Sequence, residues 1–233
     1  MLLKAFGLSY LFSSAVTFIT DIFYPELRVD RDYPSVRGGT KDAPDHTLHV
    51  IDQYYKIMKV TLVNIVSSVP LFIVYQKYSD GRENDNPFIY NFLMWLMITD
   101  VSFFIFHYSL HHPKLYHLHK LHHQYRYTYG PAALYSSMSE FYLSNLLPNL
   151  ISFEFLQLST GEMVTIIVFQ TFYTVIVSHG GYKFSKDGHL KHHLQYKEPY
   201  GLFLSDSVYS SIGQSDHPSD SNTFHELQFP RPS

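Results

Sequence analysis

Residues 88–123 read FIYNFLMWLMITDVSFFIFHYSLHHPKLYHLHKLHH. The first 23 positions are apolar and aromatic apart from a few polar residues, among them Asp100, and match the roughly 20 residues that a bilayer-crossing helix needs. The last seventeen positions, 107–123, carry seven histidines. A segment fit for lipid thus ends in a crowd of titratable, metal-seeking side chains, and reading it as a helix that delivers imidazoles to a membrane surface decides the fold.

Working outward, five stretches suit lipid or deep burial: 2–24, 54–76, 88–110, 141–158 and 163–177. The first three are long enough to span. The last two are short, are joined at Ser159, Thr160, Gly161 and Glu162, and read as a hairpin. Asn145, Pro148, Asn149 and Glu154 in its first arm call for packing against protein or for partial insertion. Residues 2–24 lack a clear cleavage site and read as a retained anchor.

Composition agrees with this reading. Apolar residues make up 45% and aromatic residues 17%, while charged residues reach only 16%, below the usual quarter. Polar residues in every stretch and a mean hydropathy of -0.09 keep a soluble helical protein as the alternative. A net charge of -3 gives no basic field, and the aromatics are not interleaved with basic clusters, so nucleic acid is excluded as the expected partner. There is no cysteine, hence no disulfide and no thiolate ligand, which suits a site facing a reducing cytosol. No Lys or Arg occurs between Arg126 and Lys183. If the histidine end faces the cytosol, only Lys4, Lys77 and Arg82 lie outside, leaving 14 of the 17 basic residues inside. Residues 28–49 read as a cytosolic loop, and 214–233 as a poorly ordered tail.

The histidine spacing carries the chemistry. His107 and His111 are four apart and share a helix face, with Asp100 seven residues earlier on the same stripe. His119, His122 and His123 repeat the i, i+3, i+4 pattern of His189, His192 and His193. Lone histidines such as His46, His49, His112, His117, His217 and His225 read as ordinary hydrogen-bonded core residues. Two HxxHH clusters in one chain do not. Protonated imidazoles packed together repel and lose hydration, whereas neutral ones can share a cation. With His179 the set reaches nine, too many for one tetrahedral zinc, and implies two metals with positions left open. Imidazole suits Fe, Zn, Cu and Ni, so the ligands alone do not choose the ion.

The order HxxxH (107–111), HxxHH (119–123), a lone histidine in HGGYKF (179–184), then HxxHH (189–193) resembles the integral membrane fatty acid hydroxylase and sterol desaturase superfamily, which includes C4-methyl sterol oxidases. The likeness runs from about Trp95 to Ser211, with YG at 200–201 and Asp206 where the family has N-Y-G and W-D. It implies an all-α integral membrane protein whose cytosolic histidine-rich helical cap covers a dimetal site. It further implies two Fe ions, with Zn as a possible substitute, held by His107, His111, His119, His122, His123, His179, His189, His192 and His193. The implied activity is O2-dependent hydroxylation or desaturation of a lipid, a sterol or fatty acyl chain, in the endoplasmic reticulum membrane, with cytochrome b5 and its reductase as electron donors. On this reading residues 1–94 hold the N-terminal helices and loop, 95–211 the histidine-box domain with the hairpin, and 212–233 the tail. Asp100 and Glu140 are candidates for orienting imidazoles through their second ring nitrogen. The Tyr and Phe residues between 125 and 142 either line a lipid cavity or, the favoured reading, pack in the core.

The sequence departs from the family at two places. Ser137 stands where relatives carry a histidine in H-P-x-E, and SDSVYSS at 205–211 replaces W-D-x-x-x-G-T. These departures motivate a rival reading, a catalytically silent relative that binds lipid or a partner, and imply that Ser137→His is tolerated or raises iron retention. A metal transporter is a further alternative, although transport sites usually lie near the bilayer midplane.

Overall fold

The computed structural model describes residues 1–29, 46–125, 128–185, 189–195 and 200–203. Among these the regular structure is helical, save one antiparallel bridge between Arg28 and Tyr182. The helices are α1 (Leu2–Phe23), α2 (His46–Tyr78), α3 (Phe88–Leu110), α4 (Tyr116–His119), α5 (Met138–Glu140), α6 (Leu147–Leu156), α7 (Thr160–Phe172) and α8 (His189–Gln195). A π-helical turn, Phe141–Leu146, joins α5 to α6, and a second, Tyr173–Ser178, extends α7.

Among the described residues four stretches are long and apolar enough to cross a bilayer: Leu2–Phe23, Thr47–Tyr78, Phe88–Leu110 and Thr160–Ser178. Their outward faces are apolar, and polar side chains share the buried core with apolar ones. Leu8, Phe12, Val63, Val74, Met97 and Ile105 point outward and are exposed, while Thr17, Thr61, Asn64, Ser68 and Thr99 are buried. In water that arrangement exposes apolar surface on every face; in lipid it is the expected one, because small and polar side chains let helices approach and hydrogen-bond. The chain is a membrane protein.

Three expectations change. Helix α2 begins at His46, eight residues before the apolar stretch that signals it, because a helix continues past the membrane as long as its backbone is not broken. The joint of the hairpin is not 159–162. Ser159 is the N-cap of α7 and forms a reciprocal capping box with Glu162, so the turn lies at Gln157, which adopts the left-handed conformation at φ 50°. Nor is the region 28–49 wholly a solvated loop. Arg28 and Val29 are buried and 46–49 are helical; 30–45 lie outside the described residues, as do 205–211 and the tail.

Of the two readings of the hairpin's first arm, packing against protein is the one the contacts support. At its tip Arg82 Nη2 donates to Glu154 at 2.9 and 3.2 Å, Asn84 Nδ2 to the Leu156 carbonyl at 2.7 Å, and Asn91 Nδ2 to Glu162 at 2.7 Å. The tip therefore meets the α2–α3 connection, at the end opposite the histidines. α6 packs on α3, and α7 on α1.

Candidate metal centre

At the other end α3 stops because Pro113 cannot continue it, and His111 becomes its C-cap. The chain then folds back through α4 and a 3-10 turn, His122–Gln124, which turns His119, His122 and His123 toward α3. Helix α8 closes the site from the far side with His189, His192 and His193.

The nine expected imidazoles fall into two sets: His107, His111, His119, His123 and His192, and His122, His179, His189 and His193. Within each set the ligand nitrogens all lie within 4.8 Å of one another. Eight of the nine residues are buried and His111 is half-buried. In the first set the Nε2–Nε2 separations are 3.1 Å for His107–His119 and for His111–His119, 3.0 Å for His111–His192, 3.3 Å for His111–His123 and 3.1 Å for His123–His192. In the second, His122 Nε2 lies 3.1 Å from His193 Nε2 and 3.4 Å from His179 Nε2.

The tautomers explain what these contacts are. His107 Nδ1–H donates to the Tyr200 carbonyl at 2.9 Å, His122 Nδ1–H to Tyr135 at 3.2 Å, His179 Nδ1–H to Thr174 at 3.0 Å, and His119 Nδ1–H to Glu140 Oε1 at 2.6 Å. With Nδ1 occupied outward, each neutral ring turns an Nε2 lone pair inward. Lone pairs facing one another at 3 Å repel unless a cation sits between them. Neighbouring ligands on an octahedral ion lie about 1.4 bond lengths apart, or about 3 Å for a bond of about 2.1 Å, and the first set repeats that spacing. Five nitrogens also exceed a tetrahedral shell. The residues fit two cations.

Burial first, then neighbouring imidazoles, holds His119, His123, His189 and His193 well below the usual imidazole range. His111 is pushed down to about 4 by burial and by His122, and His122 to about 4 by burial. The rings are thus neutral, as ligation requires, at any ordinary pH.

Of the two expected carboxylates, Glu140 holds an imidazole directly. The described hydrogen bonds of Asp100 run instead to the backbone N–H groups of Leu202 and Phe203, at 3.1 and 2.9 Å. It anchors the segment whose Tyr200 carbonyl orients His107, so it acts one step away from the rings. Ser137 is the N-cap of α5: its Oγ accepts from Glu140 N and donates to the Leu118 carbonyl at 2.7 Å. His49, His112 and His117 are exposed rather than core.

The π turns set the geometry of this end. In Tyr173–Ser178 the wider winding aims the Thr174 carbonyl at both the backbone N–H and the Nδ1–H of His179, each at 3.0 Å. Behind it, Gly181 has φ +73°, and a Cβ there would stand 2.6 Å from the Thr128 carbonyl. Arg28, fully buried, clamps this segment: Nη1 bonds Asp21 at 2.9 Å and the Gly180 carbonyl at 3.1 Å, Nη2 bonds the Thr128 carbonyl at 2.8 Å, and Tyr54 completes the group on Asp21 at 2.8 Å. The sequence gives little sign of the Arg28 clamp, and none of the three orienting carbonyls, since a carbonyl belongs to every residue.

A cavity opens from the imidazoles into the bundle. His107, His119, His122, His179 and Glu140 line its upper end; Phe6, Leu71, Phe72, Tyr75 and Phe153 line its depth. Among the described residues, none of the aromatics between 125 and 142 lines it. Tyr125, Tyr129 and Tyr135 pack on one another and on Tyr54.

Fold and site together define a membrane-embedded helical protein with two convergent imidazole sets at the end of an internal cavity. The sequence pattern of the family "Fatty acid hydroxylase" matches residues 92–209, half of the chain, and the chain belongs to that family. It is similar to "Fatty acid hydroxylase ahd1" of Mycosarcoma maydis, 29% identical over 117 residues, which cover 46% of this chain and 30% of that protein. "Fatty acid hydroxylase domain-containing protein 2" of Homo sapiens is 30% identical over 123 residues, 49% of this chain and 36% of the relative. The match thus spans about a third of the length of these curated relatives. No solved structure matches.

Proposed function

We propose that this protein is a membrane-bound, O2-dependent di-iron oxidoreductase that hydroxylates or desaturates a lipid, a sterol or fatty acyl chain. The observation that carries the reading is the convergence of nine imidazoles, each with one ring nitrogen in reach of its set, in sets of five and four. Two irons, when bound, supply the redox chemistry that couples dioxygen reduction to oxidation of an unactivated C–H bond. Hydroxylation consumes O2, two electrons and two protons and releases one water; desaturation releases two. The electrons come from a one-electron donor at the water side, and cytochrome b5 with its reductase is the proposed source. The proposed location is the endoplasmic reticulum membrane with the site facing the cytosol, in keeping with the distribution of basic residues.

The chain's own residues do the rest. Glu140 and the carbonyls of Tyr135, Thr174 and Tyr200 fix ring orientation and tautomer. The cavity admits an apolar substrate from the bilayer side and keeps bulk water from the reacting carbon.

Iron per chain, measured on protein purified in detergent from iron-replete cells with zinc assayed alongside, tests the proposal. About two metals per chain, iron or displacing zinc, is the expected result. If neither approaches two, the silent, lipid-binding reading motivated by Ser137 takes its place.

A further inference from the structure

We infer that Arg28 is a positioning residue for the four-imidazole set: by gripping the Gly180 and Thr128 carbonyls it fixes where His179 stands. Without its guanidinium that set loses its metal, while the five-imidazole set keeps its own. This rests on reading both sets as metal positions.

His179 is placed differently from the other eight imidazoles. His107 and His111 share α3 and its cap, His119, His122 and His123 share the segment that folds back from it, and His189, His192 and His193 share α8. His179 stands alone, at the C-cap of the π turn Tyr173–Ser178. On its N-terminal side the Thr174 carbonyl accepts from both its backbone N–H and its Nδ1–H. On its C-terminal side come two glycines, whose backbone no side chain restrains. There the clamp acts. Arg28 Nη1 donates to the Gly180 carbonyl at 3.1 Å and Nη2 to the Thr128 carbonyl at 2.8 Å, while the Val29 N–H donates to the Gly181 carbonyl at 2.9 Å. The fit leaves no room to spare. A Cβ on Gly180 would stand 2.3 Å from the Ile176 carbonyl, and one on Gly181 3.0 Å from Arg28 Nη2.

Stability does not account for a cation in this place. A buried ion pair is a weak source of it, since apolar residues of similar volume hold such a space about as well. What a guanidinium supplies and an apolar side chain lacks is a planar fork of donors. Asp21 and Tyr54, bonded at 2.9 and 2.8 Å, and the Tyr129 ring, 4.4 Å from the guanidinium carbon, hold that fork in one orientation. Asp21, Arg28 and Tyr54 all precede residues 92–209, so this hold on His179 comes from outside the part of the chain that the family pattern matches.

The test is metal per chain in detergent-purified protein dialysed against a chelator weak enough to leave the wild type about two. Asp21→Leu with Arg28→Met removes both charges and keeps the space filled. This variant is expected to unfold cooperatively yet to hold about one metal, the affinity for the other falling about 10- to 100-fold. A merely structural role would recover the metal together with the fold. His179→Ala is expected to match that loss and, added to the double variant, to change nothing further, whereas adding His192→Ala from the other set lowers what remains. Arg28→Lys keeps a charge for Asp21 but not the planar fork; it is expected to share the loss, and it decides alone if the double variant does not fold. Two metals in a folded variant, loss of both together, or a further loss on adding His179→Ala overturns the assignment. A wild type that holds no metal removes the di-iron reading and this inference with it; a two-metal wild type whose folded variant also holds two removes this inference alone.

Discussion

At the scale of single residues, the site depends on which ring nitrogen faces inward. His122→Ala or His192→Ala removes one inward nitrogen from each set in turn, and product formation is expected to be abolished while the protein stays in the membrane; wild-type turnover in either variant would remove that residue from the ligand set. Glu140→Gln keeps an acceptor for His119 but not its charge, and metal affinity is expected to fall about 10- to 100-fold, read by competition with a chelator. Position 137 is instructive. The family resemblance puts a histidine there, yet Ser137 caps α5 and bonds the Leu118 carbonyl, and the two imidazole sets reach five and four nitrogens without it. Ser137→His is therefore expected to leave metal content unchanged and to cost about 1 kcal/mol of stability through the lost cap, seen as a lower thermal midpoint. Spacing made the nine histidines legible. It said nothing of Tyr135, Thr174 or Tyr200, whose contribution is a backbone oxygen.

At the scale of elements, α1 matters to the centre although it supplies no ligand. Its Asp21 holds Arg28, and Arg28 holds the Gly180 and Thr128 carbonyls beside the segment that carries His179. Asp21→Asn leaves a fully buried guanidinium without its counter-charge and is expected to cost about 3–5 kcal/mol. Replacing both partners by apolar residues, Asp21→Leu with Arg28→Met, should restore much of the loss in thermal unfolding, and failure to do so would show that the carbonyl contacts rather than the ion pair dominate. The hairpin teaches a related lesson. Its Asn, Pro and Glu residues call for packing against protein or for partial insertion, and the structure shows the packing: Glu154 is paired with Arg82 and Asn149 accepts from Trp95, so these polar groups are satisfied within the protein. The S-x-x-E signal at 159–162 marks a helix start, and reading it as a linker puts the turn a few residues late.

At the scale of the whole molecule, the centre joins segments that are far apart in the chain: α3, the 119–124 return, the hairpin and α8. Metal that binds only the folded arrangement stabilises it by mass action, so chelation is expected to lower the thermal midpoint in proportion to metal lost, and re-addition of ferrous iron to restore it. A midpoint indifferent to chelation would mean that the imidazole sets do not bind metal in the purified protein. The sequence by itself determined the helical membrane class and the nine imidazoles, because hydropathy and i, i+3, i+4 spacing are properties of a segment and its immediate neighbours. Only the tertiary structure decided how the nine divide into five and four, that Asp100 acts through the backbone of Leu202 and Phe203, and that a cavity runs from the rings into the bundle. Those features arise between segments up to about a hundred residues apart, where packing rather than local pattern fixes which atoms meet.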